Sequence, residues 1–408
     1  MFEQALGVGK PWFIKDVQFS AEKKQLDIFI DFERGSVFPV VEDGIKGEFK
    51  AYDTIDKSWR HLNFFEHECT LHARIPRVKI NDKETRVIKA PWEGLMKGFT
   101  LLMESIILQL CFCMPVAKVA KFTGVSDDKI WRLLEKYVFT AFGVRSLAEL
   151  KEIGMDETSS RRGHDYITLF VDLLLRRTVF IAEGKDSGTV KEFSEVLKLK
   201  GGDPAAITTV SCDMSPAFIK GNEKYFPNAD ITFDRFHVIK PLNEAVNEVR
   251  RQEATKITVL RGTKYLFVKN RENLTAKEEE KLQEITMSHA GLQSLKARHY
   301  RELFQKIYEA ESVEEFETLL KAWTRSVMHT KLEPLKKFVQ LLKNHWKGIV
   351  NWAKTHVNNG ILEGLNSVVQ AAKAKARGYR TNKCFIIIIY LLTGKFDFRS
   401  LNPTYLPI

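Results

Sequence analysis

A chain of 408 residues with 44% hydrophobic and 28% charged residues is ordinary for a globular protein and long enough for two to four domains. Its 63 Lys and Arg residues exceed its 52 Asp and Glu residues, and the net charge of +11 favours a polyanionic partner. Five scattered cysteines without a CxxC pair argue against a disulfide framework and favour a reducing compartment. No signal peptide is evident, and the apolar run at 385–392 is too short to span a bilayer, so we expect a nucleic-acid partner and no membrane association.

Residues 1–90 read as short strands separated by Gly and Asp, for example at 26–32 and 47–52. We expect a small β-rich module here. After residue 90 the pattern becomes helical, with a long apolar helix predicted over 95–113.

The segment that follows, within residues 91–150, has the pattern of a helix-turn-helix. An apolar face at 116–120 is followed by a turn at Gly124, and Ser126 stands where a helix N-cap belongs. The second helix, over 126–137, would present Lys129 and Arg132 to a DNA groove. An ordinary αα-hairpin gives the same pattern.

Residues 151–254 alternate strands and helices after an initial hairpin, which is the order of a mixed α/β sheet with an RNase H-like core. Residues 255–350 show helical patterns without a convincing strand and are predicted to form an all-helical insertion. Residues 351–408 then supply the last helix, over 360–376, and a tail. The predicted strands are 166–173, 178–182, 206–214 and 229–233, and the helices between and after them are 190–199, 216–225 and 241–251.

Three acids stand at strand or helix positions where a carboxylate is energetically unfavourable unless it has a function. Asp156 is predicted at the end of the first sheet strand, Asp213 at the end of another, and Glu363 at the start of the last helix. Carboxylate oxygens are the ligands that Mg²⁺ prefers, and two such ions could activate an attacking oxygen and stabilise a leaving one. Taken singly, each acid could equally be a surface or capping residue.

Further candidate residues surround these acids in the sequence. Asp234 and His237 follow a predicted strand with DxxH spacing, although a lone histidine there is commonly a structural group, and a zinc site lacks further ligands nearby. A basic run without any acid follows Glu363, suited to DNA phosphates or simply to a solvated helix face. Four residues of this basic run are candidates for DNA binding, namely Lys373, Lys375, Arg377 and Arg380.

Several blocks of this sequence resemble, in order, those of bacterial insertion-sequence transposases of the ISL-three type. They are GMDETS, GHDYITLFVDL, VSCDMSPAF, FPNADITFDRFHVIKPLNEAVNEVRR and NNGILEGLNSVVQAAKAKARGYR. The resemblance implies an RNase H-like catalytic core, a metal-binding triad of Asp156, Asp213 and Glu363, and a DxxH element, Asp234 and His237, close to the site. It also implies two Mg²⁺ ions, replaceable by Mn²⁺, and double-stranded DNA partners, the element ends and the target. We expect a homodimer or larger synaptic complex at the bacterial nucleoid in the cytoplasm.

The N-terminal module departs from the family pattern, in which two cysteine pairs bind zinc. Phe38, Val41, Ile80 and Lys83 stand at the corresponding places. We therefore predict no structural zinc, and expect the three apolar residues to pack together instead. The alternative is a rebuilt zinc site made by one cysteine and three histidines, namely Cys69, His61, His67 and His72.

The function expected from all this is binding of the element's terminal inverted repeats, followed by metal-dependent strand cleavage and strand transfer. Two alternatives stay open from the sequence. One is a non-enzymatic regulator built around the helix-turn-helix, and the other is an RNase H-like structure-selective nuclease.

Overall fold

The computed structural model divides into two compact units, Met1–Arg145 with Val369–Ile408, and Ser146–Val368. Among the described helices, none is both long and apolar enough to cross a membrane. The residues that the structure describes are 3, 6–42, 44–82, 84–160, 165–356 and 360–406.

The first unit begins with the strands predicted from the sequence. Its sheet has the order β1-β2-β5-β4-β3, with β6 also paired to β5, and β2 lies parallel to β5 while the other neighbours are antiparallel. Trp12 and Trp59 both pack edge to face against Trp92, with ring centroids 5.2 and 5.8 Å away, and all three belong to the buried core. The strands are β1 Trp12–Ser20, β2 Gln25–Phe32, β3 Val37–Glu42, β4 Ile45–Arg60, β5 Glu68–Asn81 and β6 Glu84–Val87.

The three apolar residues expected to pack together in the N-terminal module, Phe38, Val41 and Ile80, do not all do so. Phe38 is buried in the core and Ile80 packs against it, but Val41 is 70% exposed, so that part of the prediction is wrong. Lys83 lies outside the described residues. Val41 lies near the end of the β3–β4 hairpin, where an alternating strand turns every second side chain outward.

The residues of the alternative zinc site have other partners. The ring of His61 is hydrogen-bonded through Nδ1 to Thr100 Oγ1 at 2.9 Å, and burial lowers its pKa to about 4. The Nε2 atom of His72 lies 2.8 Å from Asp27 Oδ1. Burial raises the pKa of the Cys69 thiol to about 11, which disfavours the thiolate that zinc requires.

The helix-turn-helix segment forms three helices, with Gly124 in the left-handed conformation (φ 71°) between the second and third and Ser126 at the predicted N-cap position. The first helix begins later than predicted, because the buried Glu104 carboxylate accepts the backbone N–H groups of Leu95 and Met96 and holds them outside the helix. The third extends beyond its predicted end at residue 137. The helices are α1 Leu101–Cys113, α2 Val116–Thr123 and α3 Asp127–Val144.

The second unit contains the predicted mixed sheet, in the order β11-β10-β7-β8-β9. Strands β7, β8 and β9 are antiparallel neighbours, whereas β10 is parallel to both β7 and β11. Strand β10 is shorter than predicted because Pro204–Ala206 forms a helical turn that Asp203 caps. The strands are β7 Glu152–Ser159, β8 Tyr166–Asp172, β9 Arg177–Glu183, β10 Thr209–Cys212 and β11 Asp230–Phe233.

Helices alternate with and follow the strands of this sheet, and residues 255–350 are helical without a strand, as predicted. The helix predicted from residue 241 begins at Arg235, because Asp234 caps it by accepting the Phe236 N–H at 2.8 Å. Within the helical segment, Phe304 packs against Trp323 and Phe338 with ring centroids 4.9 and 5.3 Å away. The helices are α4 Ser187–Leu199, α5 Pro216–Tyr225, α6 Arg235–Glu253, α7 Lys264–Val268, α8 Ala276–Ser288, α9 Gln293–Ile307, α10 Val313–Met328, α11 Glu333–Asn344, α12 Trp346–Thr355 and α13 Gly360–Ala376.

The C-terminal segment belongs to the first unit and contains a helix that the sequence analysis did not predict, α14 Asn382–Thr393. Beyond it, Asn402 is fully buried, and its amide donates to the Leu101 carbonyl at 2.7 Å and to the Tyr137 hydroxyl at 3.1 Å. Phe398 packs edge to face on the same tyrosine, with ring centroids 5.8 Å apart. The chain after α14 is therefore part of the packing around α1 and α3.

Candidate active site

Three acids lie at one level across three neighbouring strands of the second unit. Strand β10 pairs with β7 so that Thr209 lies opposite Glu152, an offset of 57 residues, and the same offset separates Asp213 from Asp156. Strand β11 pairs with β10 so that Cys212 lies opposite Phe233. Continuing this register by one residue places Asp234 beside Asp213. Side chains at matching positions of parallel strands point to the same face. The pairing therefore brings these carboxyl groups together.

The position of Asp156 differs from the prediction in one respect. It lies within β7, opposite Leu169 of β8, instead of at the end of its strand. Strand β7 continues to Ser159 because the hairpin with β8 pairs its residues as far as Tyr166.

Burial raises the pKa of the Asp156 carboxyl group above its ordinary value. The neighbouring Asp213 and Asp234 carboxylates raise it further, while His237 and a hydrogen bond from the Glu157 N–H oppose the rise. The Glu157 N–H donates to Asp156 Oδ1 at 2.8 Å. The acids therefore interact electrostatically, as groups that share a cation site would.

Asp213 and Asp234 are each oriented by the start of a helix. Asp213 Oδ1 accepts the Ser215 N–H at 2.9 Å, just before α5. Asp234 is buried and caps α6, and its Oδ2 atom lies 3.8 Å from Nε2 of His237, one helical turn further on. The predicted DxxH pair therefore lies at the same sheet edge as Asp156 and Asp213.

Helix α13 approaches strand β7 through residues close to Glu363. Leu362 is buried, and a β-carbon added to Gly154 would lie 2.9 Å from Leu362 Cδ2. Asn366 donates a hydrogen bond from its amide to Asp156 Oδ2. Glu363 lies in the first turn of α13 and is exposed. Asn366, one turn after Glu363, thus connects α13 to Asp156.

Two polar residues at this site were missed by the sequence analysis as candidates. Glu157 follows Asp156 in β7. Burial and the Asp213 carboxylate raise the pKa of the Glu157 carboxyl group, while the charge of Lys185 lowers it. The amide oxygen of Asn366 is buried and has no hydrogen-bond partner among the residues that the structure describes. A signal for Asn366 was present, since it lies on the polar face of α13 together with Glu363.

In the part of the chain that the structure describes, no three His, Cys, Asp or Glu side chains are gathered closely enough to hold a metal ion. Asp156 and Asp213 nevertheless have carboxylate oxygens at matching strand positions, which are the kind of atom that Mg²⁺ prefers, and a cation would offset the repulsion between their charges.

The basic candidates all belong to the first unit, in contrast to the acids. Lys129 and Arg132 are exposed on α3. Helix α13 crosses the unit boundary between residues 368 and 369, so the basic run after Glu363 is grouped with α3. Within that run, Lys375, Arg377 and Arg380 are exposed and Lys373 is half-buried.

Two protein families and several known proteins are similar to this chain. Residues 153–389 match a family described as Transposase, and residues 97–138 match the helix-turn-helix domain of transposase family ISL3. The transposase for insertion sequence element IS1001 of Bordetella parapertussis is 24% identical over 351 residues, which cover 83% of this chain and 85% of that protein. The transposase for insertion sequence element IS1557 of Mycobacterium tuberculosis is 24% identical over 365 residues, which cover 82% and 81%.

The family match covers more than half of the chain and contains every acid of the site. The second match covers α1, α2 and the part of α3 that carries Lys129 and Arg132. These matches, with the site geometry, show that the chain belongs to the ISL3-type transposases of insertion sequences and carries their helix-turn-helix DNA-binding module.

Proposed function

We propose that this transposase cuts and joins DNA through Asp156, Asp213 and Glu363, with two Mg²⁺ ions that Mn²⁺ can replace. The observation that carries the proposal is the pairing of β7 with β10, which sets Asp156 and Asp213 side by side. The sheet order supports an RNase H-like fold, since three antiparallel strands are followed by two parallel ones on the other side of β7. The proposal keeps the domain limits predicted from the sequence, which are 1–90, 91–150, 151–254, 255–350 and 351–408.

Asp156 and Asp213 would hold the ions from the sheet, and Glu363 would hold them from α13. When bound, two such ions activate the attacking oxygen and stabilise the leaving one in an in-line displacement. The carboxylate oxygens suit this task because Mg²⁺ prefers hard ligands and leaves positions for substrate phosphates.

The protein's own contribution is to hold these carboxylates in fixed orientations. Asp156 accepts a hydrogen bond on each oxygen, from the Glu157 N–H and from the Asn366 amide. Asp213 is held by the Ser215 N–H. Fixed orientation favours catalysis because the groups need no rearrangement when DNA phosphates arrive. The buried Asp234 would act as an auxiliary group that keeps His237 near Asp156.

The DNA would be bound in two stages. The helix-turn-helix would recognise the terminal inverted repeats, through Lys129 and Arg132 on α3, and the catalytic residues would then cleave strands and join 3′-hydroxyls to target DNA. Both ends of an element have to be processed together, so a homodimer or larger synaptic complex is the expected active form. Its place is the nucleoid of a bacterial cytoplasm.

The test compares Asp213→Asn and Glu363→Gln with Glu223→Gln, an exposed acid on α5 of the same unit. We expect the first two variants to bind inverted-repeat DNA in a gel-shift assay but to lose Mg²⁺-dependent cleavage and strand transfer, while the control retains all three activities. Calorimetry with Mn²⁺ alone should show weakened binding for the first two variants only.

Other results would contradict the proposal in distinguishable ways. Full cleavage by Asp213→Asn or Glu363→Gln removes that residue from the triad. Cleavage of junctions or hybrids without strand transfer by the unaltered protein favours a structure-selective nuclease. A footprint on the ends without any cleavage favours a regulator.

A further inference from the structure

Helix α3 as a whole carries no net charge, which is unusual for a helix that binds DNA. Three acids and three basic residues lie between positions 127 and 136, so the helix contributes no excess of positive charge. They are Asp127, Asp128, Glu135, Lys129, Arg132 and Lys136. Contacts to phosphate supply most of the affinity of DNA-binding proteins, whereas contacts to base edges supply specificity. The phosphate contacts of this module must therefore come largely from elsewhere.

A source of positive charge lies beside this helix. The segment 373–383 contains five basic residues and no acid. It includes the end of α13 and a turn in which Arg377 and Gly378 both have positive φ, 58° and 96°, and in which the Gly378 N–H closes the helix on the Lys373 carbonyl at 2.9 Å. The chain changes direction at this turn and then enters α14.

The turn and the start of α14 each contact α3. The ring of Tyr379 lies edge to face on Trp131, with centroids 6.3 Å apart and planes at 80°. Lys383 Nζ lies 2.5 Å from Glu135 Oε1. Tyr379 is in turn stacked on Phe385 of α14 at 5.2 Å, and burial raises its pKa to about 12.

The helical positions show which side of α3 is covered. Trp131 and Glu135 are four residues apart and share one side of the helix. Arg132 is one position further round and is exposed, and so is Lys129, three residues before it. The turn therefore borders the exposed face of α3 without covering it, and both Arg377 and Arg380 are exposed as well.

We propose that Lys129 and Arg132 of α3, together with Arg377 and Arg380 of the turn, form one surface for double-stranded DNA. In this surface α3 reads base edges in the groove, and the two arginines bind phosphates of the same site. The inference rests on the proposed function, in that the chain binds the ends of its element. It assigns the arginines after the catalytic helix to end recognition instead of to the DNA at the cleavage site.

Mapping of contacts tests the proposal. Arg132→Cys and Arg380→Cys, each in a protein whose exposed Cys113 is replaced by Ser, are labelled with a photocrosslinker and bound to an inverted-repeat duplex. We expect both positions to crosslink within about one turn of DNA, roughly 10 base pairs, inside the same repeat. Crosslinks from position 380 at the cleavage junction, with those from position 132 inside the repeat, would overturn the inference and leave the proposed function intact. Failure of the unlabelled protein to bind the repeat would overturn both.

Salt dependence gives an independent measurement. Arg377→Ala with Arg380→Ala should lower the slope of log K against log salt by about 2, since each lost phosphate contact removes about 0.9. The matched control, Arg261→Ala with Arg325→Ala, removes the same charge from exposed positions of the other unit and should leave the slope unchanged. Equal changes in both double variants would contradict the inference.

The attachment of the turn is tested at Tyr379. Tyr379→Phe keeps the ring contacts with Trp131 and Phe385 and should bind repeat DNA normally. Tyr379→Ala removes them and should weaken binding, with circular dichroism confirming that the helices persist. Normal binding by a folded Tyr379→Ala protein would show that docking on α3 does not matter.

Discussion

Replacing Gly154 by Ala tests the packing that brings α13 to the acid row. A β-carbon at this position of β7 would lie 2.8 Å from Leu173 Cδ2 and 2.9 and 3.1 Å from the two Cδ atoms of Leu362. Ordinary carbon contacts are about 3.5–4.0 Å, so both leucines would have to move. Each is only 5% exposed and has little room to do so.

The expected change in unfolding free energy of Gly154→Ala follows from two opposing effects. Overpacking of a close-packed site costs about 1–3 kcal/mol, and the lower entropy of the unfolded chain with Ala returns about 0.4–1 kcal/mol. The net loss of unfolding free energy should be about 1–2 kcal/mol, which lowers the melting temperature of a unit of this size by about 2–8 °C. Gly364 of α13 is the matched control, because a β-carbon there meets no atom of the described residues within 4 Å beyond the backbone of its own helix. Gly364→Ala should stabilise the helix by up to about 1 kcal/mol.

Thermal unfolding, gel shift and cleavage are measured on the same preparations. Gly154→Ala should melt at a lower temperature. Its cleavage rate should fall at least about tenfold, since a rise of about 1.4 kcal/mol in the activation free energy, caused by a displaced α13, corresponds to that factor. Binding of repeat DNA should persist, because the helix-turn-helix belongs to the other unit. An unchanged melting temperature together with unchanged cleavage would refute the reasoning that Leu362 fixes α13 on β7.

Three further predictions concern other parts of the molecule. Lys129→Ala with Arg132→Ala should weaken binding to repeat DNA more than to random DNA, because α3 is within reach of base edges; equal losses in a gel-shift assay would make them phosphate contacts only. Asn366→Ala should weaken Mn²⁺ binding by about 10–100-fold in calorimetry, since it removes a hydrogen bond that orients Asp156, and unchanged affinity would assign Asn366 a packing role. The N-terminal module should fold without zinc, and stoichiometric zinc whose chelation unfolds the module would contradict this expectation.

The order of strands and helices along the chain could be predicted from the sequence because it depends on local patterns, whereas the roles of the acids stay a prediction. The hairpin before Asp213 and the helical segment after Asp234 follow directly from alternating and helical periodicity. The pairing of β7 with β10 could not be predicted, since register depends on how two distant segments meet. Only the pairing shows that the 57-residue spacing of Asp156 and Asp213 matches the register of their strands.

The errors in helix limits have physical causes of the same kind. Helix α1 begins at Leu101 because the Glu104 carboxylate binds backbone groups of the preceding loop, a contact that local propensity does not reveal. The apolar run in α14 is rich in isoleucine, and such a run is equally compatible with a buried strand or a buried helix. The contact between Asn366 and Asp156 joins residues that lie 210 positions apart.

The burial of Asn402 between the Leu101 carbonyl and the Tyr137 hydroxyl has a practical consequence for fragments of this protein. A fragment limited to the residues that match the helix-turn-helix family, 97–138, would expose Tyr137 and would lack the Asn402 amide that donates to these two oxygens. It would also lack α14, which packs on α3. Expression of a stable DNA-binding half should therefore require two pieces of chain, the first ending near Arg145 and the second beginning near Val369, joined by an engineered linker or supplied together.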